Sequence, residues 1–409
     1  MPLKSLTSKI QPSVNNRLTS IFYLQFLAIL LTTLSANGQR ELALSSERIE
    51  NKLIHITRSG ADSGTYQTIY DRMRALNVPG VSIAVFDNGK ISWAKAYGVS
   101  DKSQAKPVAT STLFQAASIS KPVTSVATFR LIEKQALTLD EDVNLKLKRW
   151  KIPESPFSEK EKVTIRRIVS HTAGLSVHGF AGYNHTVKLP TVTQILDGTP
   201  PANSSPVRVK ETPGEKESYS GGGFTVLQLL LEDVTGKPFG PLLEDLVLKP
   251  VGMKQSTFSL PLPSDQVSIA AKGYDERGNM VDGGYHLYPE LAAAGLWTTP
   301  GDLAKFMLNV SDSYRADKGI LKQETARQML TKIPGAGGLG FGVDGTGETL
   351  RFRHSGGNAG FSCYAVAFAQ TGRGVVIMTN SDNGTSLIHE LVRAMAREYQ
   401  WGPMWPRDN

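Results

Sequence analysis

The sequence predicts an α+β fold, with an antiparallel five-stranded sheet flanked by helices and a mainly helical insertion over residues 137–300. Three observations carry this prediction. Two β-rich runs near residue 80 flank an Asn-Gly turn, three strand-like runs return after residue 349, and the long stretch between them mixes helical patterns with proline- and glycine-rich loops. Short hairpin connections within each group make the sheet antiparallel.

The chain opens with Lys4, Lys9 and Arg17, then an apolar run from Ile21 to Leu31 broken only by Gln25, then Ala36-Asn37-Gly38. This is the layout of a secretory signal peptide over residues 1–38, with residues 39–409 as the folded domain and a secreted or periplasmic location. An uncleaved N-terminal anchor is the rival reading, although the run is shorter than the ~20 residues a membrane span needs. No cysteine near the junction suggests a lipid anchor. The sole cysteine, Cys363, excludes an internal disulfide and, within an apolar strand-like run, reads as a small buried side chain.

Composition is that of an ordinary globular protein, and the folded part is long enough for one large domain with an insertion. Three of the positive charges and no negative ones lie in residues 1–38, which lowers the net charge from +8 to +5 for the rest. The remaining Lys and Arg are scattered, so no nucleic-acid partner is indicated.

Residues from about Ile49 to Leu76 read as a polar amphipathic helix, broken around Ser59-Gly60 and Ser63-Gly64. Val81–Phe86 and Ile91–Gly98, joined through Asn88-Gly89, form the first hairpin. A helix then runs through Val123, Val126, Ala127 and Leu131. Pro190, Pro200, Pro201, Pro206 and Pro213 mark a long exposed excursion suited to a cleft wall, and a helix through Val226, Leu229, Leu230 and Val234 ends near Gly236. A capped helix from Asp302 to Val310, strands at Thr349–His354, Phe361–Phe368 and Gly374–Thr379, and a closing helix from Ser386 to Tyr399 complete the chain.

The chemistry concentrates in three segments. Ser118 and Lys121 stand at i and i+3 at the start of a helix, which places the amine beside the hydroxyl and the hydroxyl near free N–H groups. That is a nucleophile, a base and half an oxyanion hole. The pattern alone is weak, because Ser103-x-x-Lys106 also matches it; that copy precedes Pro107 in a polar stretch and reads as a turn. Tyr219 lies on a glycine-rich loop just before a helix, placed to project into a cleft. His354 ends a strand and is followed by Ser355-Gly356-Gly357, which expose backbone. His171, His178 and His185 recur every seven residues, but glycines interrupt any common helix and no acidic residue stands at ligand spacing. A metal site is therefore not expected, and His171 reads as pinning a loop. No cofactor is implied.

Ser118-x-x-Lys121, Tyr219-Ser220-Gly221 and His354-Ser355-Gly356, in this order and at these separations, resemble the three motifs of the serine β-lactamase and penicillin-binding-protein superfamily. The likeness is nearest to the branch of class C β-lactamases, D,D-peptidases, D-aminopeptidases and related esterases. It spans roughly residues 75–400 and includes Ser170–Leu175 and Gly295–Thr299. The resemblance implies a β-lactamase/transpeptidase-like fold and an acyl-enzyme on Ser118, with proton transfer through a coupled Lys121/Tyr219 pair in which neither partner is singled out as the base. It also implies an oxyanion hole from the backbone N–H groups of Ser118 and Gly357, and a small-molecule or peptide acyl substrate.

Two departures qualify the substrate. His354 stands where many lactamases have lysine, as in some D,D-peptidases and D-aminopeptidases; if its protonated ring holds a substrate carboxylate, kcat/KM falls as pH rises through about 6 to 7. Gly221 stands where asparagine usually binds an acylamide. The reading is a secreted hydrolase of an amide or ester, D,D-peptidase/D-aminopeptidase-like or β-lactamase-like. A carboxylesterase on the same fold is the alternative, with a silent binding protein or a zinc hydrolase on the histidine row as minor ones.

Overall fold

The structure, a computed structural model, describes residues 44–56 and 62–404. The expected leader, residues 1–38, lies outside the described residues.

The main sheet is antiparallel and has seven strands. In chain order they are β1 (Gly80–Asp87), β2 (Lys90–Asp101), β3 (Lys106–Pro107), β4 (Gly342–Asp344), β5 (Arg351–Asn358), β6 (Phe361–Phe368) and β7 (Gly374–Thr379). Their spatial order is β3-β2-β1-β7-β6-β5-β4. The five expected strands form the centre, so the expected count is corrected by two short edge strands. Neither has a strand pattern of its own: β3 is an exposed Lys-Pro pair in the stretch read as a turn, and β4 lies in a glycine cluster. Each is defined by the neighbour it pairs with, which a local reading of sequence does not see.

The first hairpin turns at Asn88 and Gly89, both with positive φ (51° and 75°), as a two-residue turn between twisted strands requires. Strands β6 and β7 are buried along their whole length, because helices cover both faces of the sheet. On one face lie α1 (Ser120–Glu133), α2 (Gly221–Thr235) and α3 (Pro300–Ala316), sharing a core with Phe86, Phe352 and Val376. On the other face α4 (Gly384–Glu398) packs its Leu387, Leu391 and Met395 against Val85, Val366 and Ile377.

Helix ends follow their local chemistry. The Thr299 hydroxyl accepts the Asp302 N–H at 3.2 Å, so α3 starts at Pro300, two residues before the expected start. Ser220 caps α2 in the same way, and Gly236 closes it at φ 69°.

The N-terminal segment departs from the expected helix. It is helical to residue 51, then forms two paired strands, Leu53–Ile56 and Asp62–Gln67, before a short helix, Ile69–Ala75. Arg72 of that helix is buried against Glu390 of α4, with Nε 2.7 Å from Oε2. Pairing and this ion pair override the helical pattern. Residues 137–300 hold α2 and several short helices, including Ile165–Val169 and Val192–Asp197, linked by long loops. The proline-rich excursion folds back on itself, with Ser176 donating to the Arg208 carbonyl and Lys210 to that of Gly174, so Val207 and Val209 are buried.

Candidate active site

From residue 112 to residue 129 every residue is buried except Ser118, which is half-buried. The surrounding segment explains this. Helix α1 is enclosed on all sides, and its hydroxyls turn inward: Thr124 and Thr128 donate to the carbonyls of Ser120 and Thr124 at 2.9 and 2.8 Å. Ser118 sits one turn earlier, in the 3₁₀ turn Ala117–Ile119, and Ala117 is held at φ 48°. Such strain in a non-glycine residue persists where packing over-determines it.

The packing comes from β5. A Cβ on Gly356 would lie 2.3 Å from the Ala116 carbonyl oxygen and 2.7 Å from Cys363 Sγ, so the strand meets the serine turn at bare backbone. Cys363 donates to the Ala116 carbonyl at 3.0 Å, and burial pushes its thiol well up, making it a packing group as its sequence context suggests. A Cβ on Gly357 would meet nothing within 4 Å among the described residues, so the tight contact belongs to Gly356.

Gly357 serves differently. Asn358 and Phe361 flank a two-residue hairpin loop and therefore form a hydrogen-bonded pair. Alternation then turns the Gly357 N–H away from β6, toward the outer edge of β5. Strand β4 covers that edge only at residues 351–353, so the N–H faces the cleft.

Lys121 Nζ donates to Ser118 Oγ at 3.0 Å and to the Ala293 carbonyl at 2.9 Å. Burial lowers its pKa to about 7, so near neutrality a large share is unprotonated. Burial raises the Tyr219 pKa to about 12, an interaction of its hydroxyl with Ser118 opposing only in part. Lys121 Nζ lies over the tyrosine ring, 5.0 Å from its centre.

His171 holds the tyrosine loop. Its Nδ1 accepts the Ser220 N–H at 3.2 Å, its carbonyl accepts the Ser218 N–H at 2.7 Å, and its ring lies 4.1 Å from that of Tyr219. Burial, then the Lys121 charge, holds its pKa well below the usual histidine value. The His178 ring is 4.9 Å from Tyr219, whereas His185 packs on Tyr285 at 4.7 Å, so the seven-residue row does not converge.

Ser118, Lys121, Tyr219, His354, Ser355, Gly356 and Gly357 all line one cleft of about 470 Å³. His354 differs in electrostatics from what was expected. Its Nδ1–H donates to the Ser355 carbonyl at 2.6 Å, and burial, then the nearby Lys121 charge, pushes its pKa down to about 3. A ring shifted in this way offers a lone pair at Nε2 rather than a proton, which speaks against a cationic carboxylate-binding role.

The sequence reading assigned no role to two other groups. Asn358 Nδ2 bridges Gln115 Oε1 at 2.7 Å and the Ala294 carbonyl at 3.2 Å, tying the end of β5 to the segment before Ser118. Its place directly after Gly357 was the available signal. Phe180 also lines the cleft, with no motif to mark it.

The Beta-lactamase family profile matches residues 67–398. Protein flp of Staphylococcus aureus (strain MW2) is 26% identical over 322 residues, covering 74% of this chain and 60% of that protein, so the chain spans about three fifths of that relative's length. Esterase EstB of Burkholderia gladioli is 26% identical over 306 residues, covering 67% of this chain and 77% of the relative. Among solved structures, D-amino acid amidase from Ochrobactrum anthropi SV3, complexed with L-phenylalanine, superposes with a TM-score of 0.65 at 23% identity, covering 81% of this chain and 97% of that one. With that fold shared and the profile running over most of its length, the chain belongs to the beta-lactamase family of serine hydrolases.

Proposed function

We propose that the protein hydrolyses an ester or amide of a small uncharged acyl group through an acyl-enzyme on Ser118. The observation that carries this is the buried Lys121 amine, lowered to about 7 and 3.0 Å from Ser118 Oγ. A neutral amine at that distance takes the serine proton as Oγ attacks the carbonyl carbon. The N–H groups of Ser118 and Gly357 receive the oxyanion. The proton then passes from Lys121, with the Tyr219 hydroxyl beside it, to the departing alcohol or amine. Water attacks the acyl-serine by the reverse proton path. Tyr219, raised to about 12, stays protonated and acts as a hydrogen-bond donor and relay.

The uncharged His354 and the bare Gly221 favour the carboxylesterase form of this reading over a peptidase that grips a terminal carboxylate. Esterase EstB, a relative by sequence, is in line with that choice. The leader-like residues 1–38 support action outside the cytoplasm.

The test is intact-mass spectrometry after brief exposure to p-nitrophenyl butyrate and, separately, a chromogenic cephalosporin, with colour release followed in parallel. Sustained ester turnover that disappears in Ser118→Ala is the expected result. A Ser118→Ala protein that still turns over the ester would remove Ser118 as nucleophile. A lasting cephalosporin adduct without ester turnover would favour the peptidase-like form.

A further inference from the structure

The Ser118 cleft has a neighbour. A second cavity, of about 670 Å³, is bounded by Val177, Asn203, Arg208 and Lys210, and it shares two wall residues with the cleft, Gly179 and Phe180. Phe180 is half-buried, its ring packed against the edge of the main core.

Gly221 makes room for that ring. A Cβ on Gly221 would come within 3.0 Å of Phe180 Cε2 and 3.1 Å of the His178 carbonyl oxygen. Gly221 is the first residue of α2 and is not among the positive-φ glycines, so its backbone does not demand glycine. The ring and the carbonyl beside it do.

The segment carrying Phe180 is fixed on both sides. Before it, the carbonyls of Val177 and His178 accept the N–H groups of Gly222 and Gly221 at 2.9 and 3.0 Å, and Val177 is held at φ 67°, an outlier for a β-branched residue. After it, the Ala181 carbonyl accepts from His286 Nδ1 at 2.9 Å and the Gly182 carbonyl from Asn203 Nδ2 at 2.8 Å. A ring held in this way is a wall, not a mobile surface side chain.

We propose that Phe180 is the specificity-determining residue of this site: its ring, admitted by Gly221, ends the cleft with an apolar stop, limits the length of the substrate's apolar chain, and separates the cleft from the second cavity. The inference rests on the Ser118 reading above and specifies its substrate as an ester or amide with a short apolar chain.

The experiment compares wild type, Phe180→Ala and Phe180→Trp on two ester series, p-nitrophenyl acetate to decanoate and ethyl to octyl acetate. Fluorophosphonate labelling of Ser118 verifies that each variant keeps its site. In wild type, kcat/KM falls at least tenfold once the chain reaches the ring, a size expected for one or two misplaced methylenes. In Phe180→Ala the ratio of the longest ester to the shortest rises at least tenfold in the series whose chain points to the ring. Phe180→Trp moves it the other way. Superimposable length profiles in labelled wild type, Phe180→Ala and Phe180→Trp overturn the inference and leave the hydrolase reading standing. Absence of both turnover and labelling in wild type overturns that reading, and the inference with it.

Discussion

One wall of the cleft is carried by a buried helix and a hydrogen-bonded strand; the other is carried by loops. Ser118 and Lys121 stand on a segment buried on every side, and residues 354–357 are locked in register with β6. Tyr219 and Phe180 instead sit on connections held by a few hydrogen bonds, those of His171, Val177 and His178. In the proposed mechanism the rigid wall fixes the nucleophile, base and oxyanion donors, where small displacements are costly. The looped wall shapes what enters. Disturbing the first should cost rate; disturbing the second should change selectivity and local stability.

The largest effect is expected at Lys121. Lys121→Met, which keeps an apolar chain in the buried slot, should lower kcat/KM for p-nitrophenyl butyrate by about 10³-fold, within the range for losing a general base. The wild-type pH profile should rise with pH, pass half its plateau near 7 and level off about one unit higher, because the base acts only after losing its proton and its pKa is lowered to about 7. A profile that instead falls through 6 to 7 would hand control to a protonated histidine and break the assignment.

Next comes a pair of neighbouring glycines on the rigid wall. Gly356→Ala forces a methyl to 2.3 Å from the Ala116 carbonyl oxygen, and overpacking of this kind costs about 1–3 kcal/mol. Because the clash lies under the Ser118 turn, activity should fall about tenfold or more as the melting temperature drops. Gly357→Ala has no such clash and should leave the melting temperature unchanged. Equal losses of stability in the two variants would show that the strand is not wedged at Gly356.

On the looped wall, His171 occupies φ 58° and accepts the Ser220 N–H through Nδ1. His171→Phe keeps a ring against Tyr219 but strands that N–H, which costs about 1–3 kcal/mol and should lower kcat by about tenfold through a displaced Tyr219. Asparagine tolerates left-handed backbone and can accept a hydrogen bond, so His171→Asn should recover most of the loss. If phenylalanine outperforms asparagine, stacking rather than the hydrogen bond holds the loop.

The same division explains what the sequence revealed. Ser118 and Lys121 share a helix face by their spacing, and β1, β2, β6 and β7 announce themselves by apolar runs between turn signals, so the rigid wall was legible. The edge strands were not, because Lys106-Pro107 and Gly342–Asp344 become strands only when a neighbour pairs with them. Phe180 was not, because its role depends on a glycine 41 positions later whose missing side chain leaves it room. The pKa values of Lys121, Tyr219 and His354 follow burial, which comes from the whole fold rather than from neighbours in the chain.

Glu290 had no local signal either, and its effect falls on stability alone, with none expected on rate. It is fully buried, neither carboxylate oxygen has a hydrogen-bond partner among the described residues, and burial raises its pKa to about 8. It begins the turn Leu291–Ala294, whose Ala293 carbonyl holds Lys121, so this cost is carried next to the base. Folded protein therefore keeps a proton on Glu290 that the unfolded chain releases above about 4.5. By linkage, stability is fully present below that pH and is lost as pH rises toward 8, amounting to about 3 kcal/mol at pH 7. Glu290→Gln cannot ionise and so removes this slope. The melting temperature of Glu290→Gln relative to wild type should climb between pH 5 and pH 8, by about 5 °C in all, and stay level above pH 8. A difference that does not change with pH would mean that Glu290 is ionised and partnered in the folded protein, and that the turn holding Lys121 carries no buried acid.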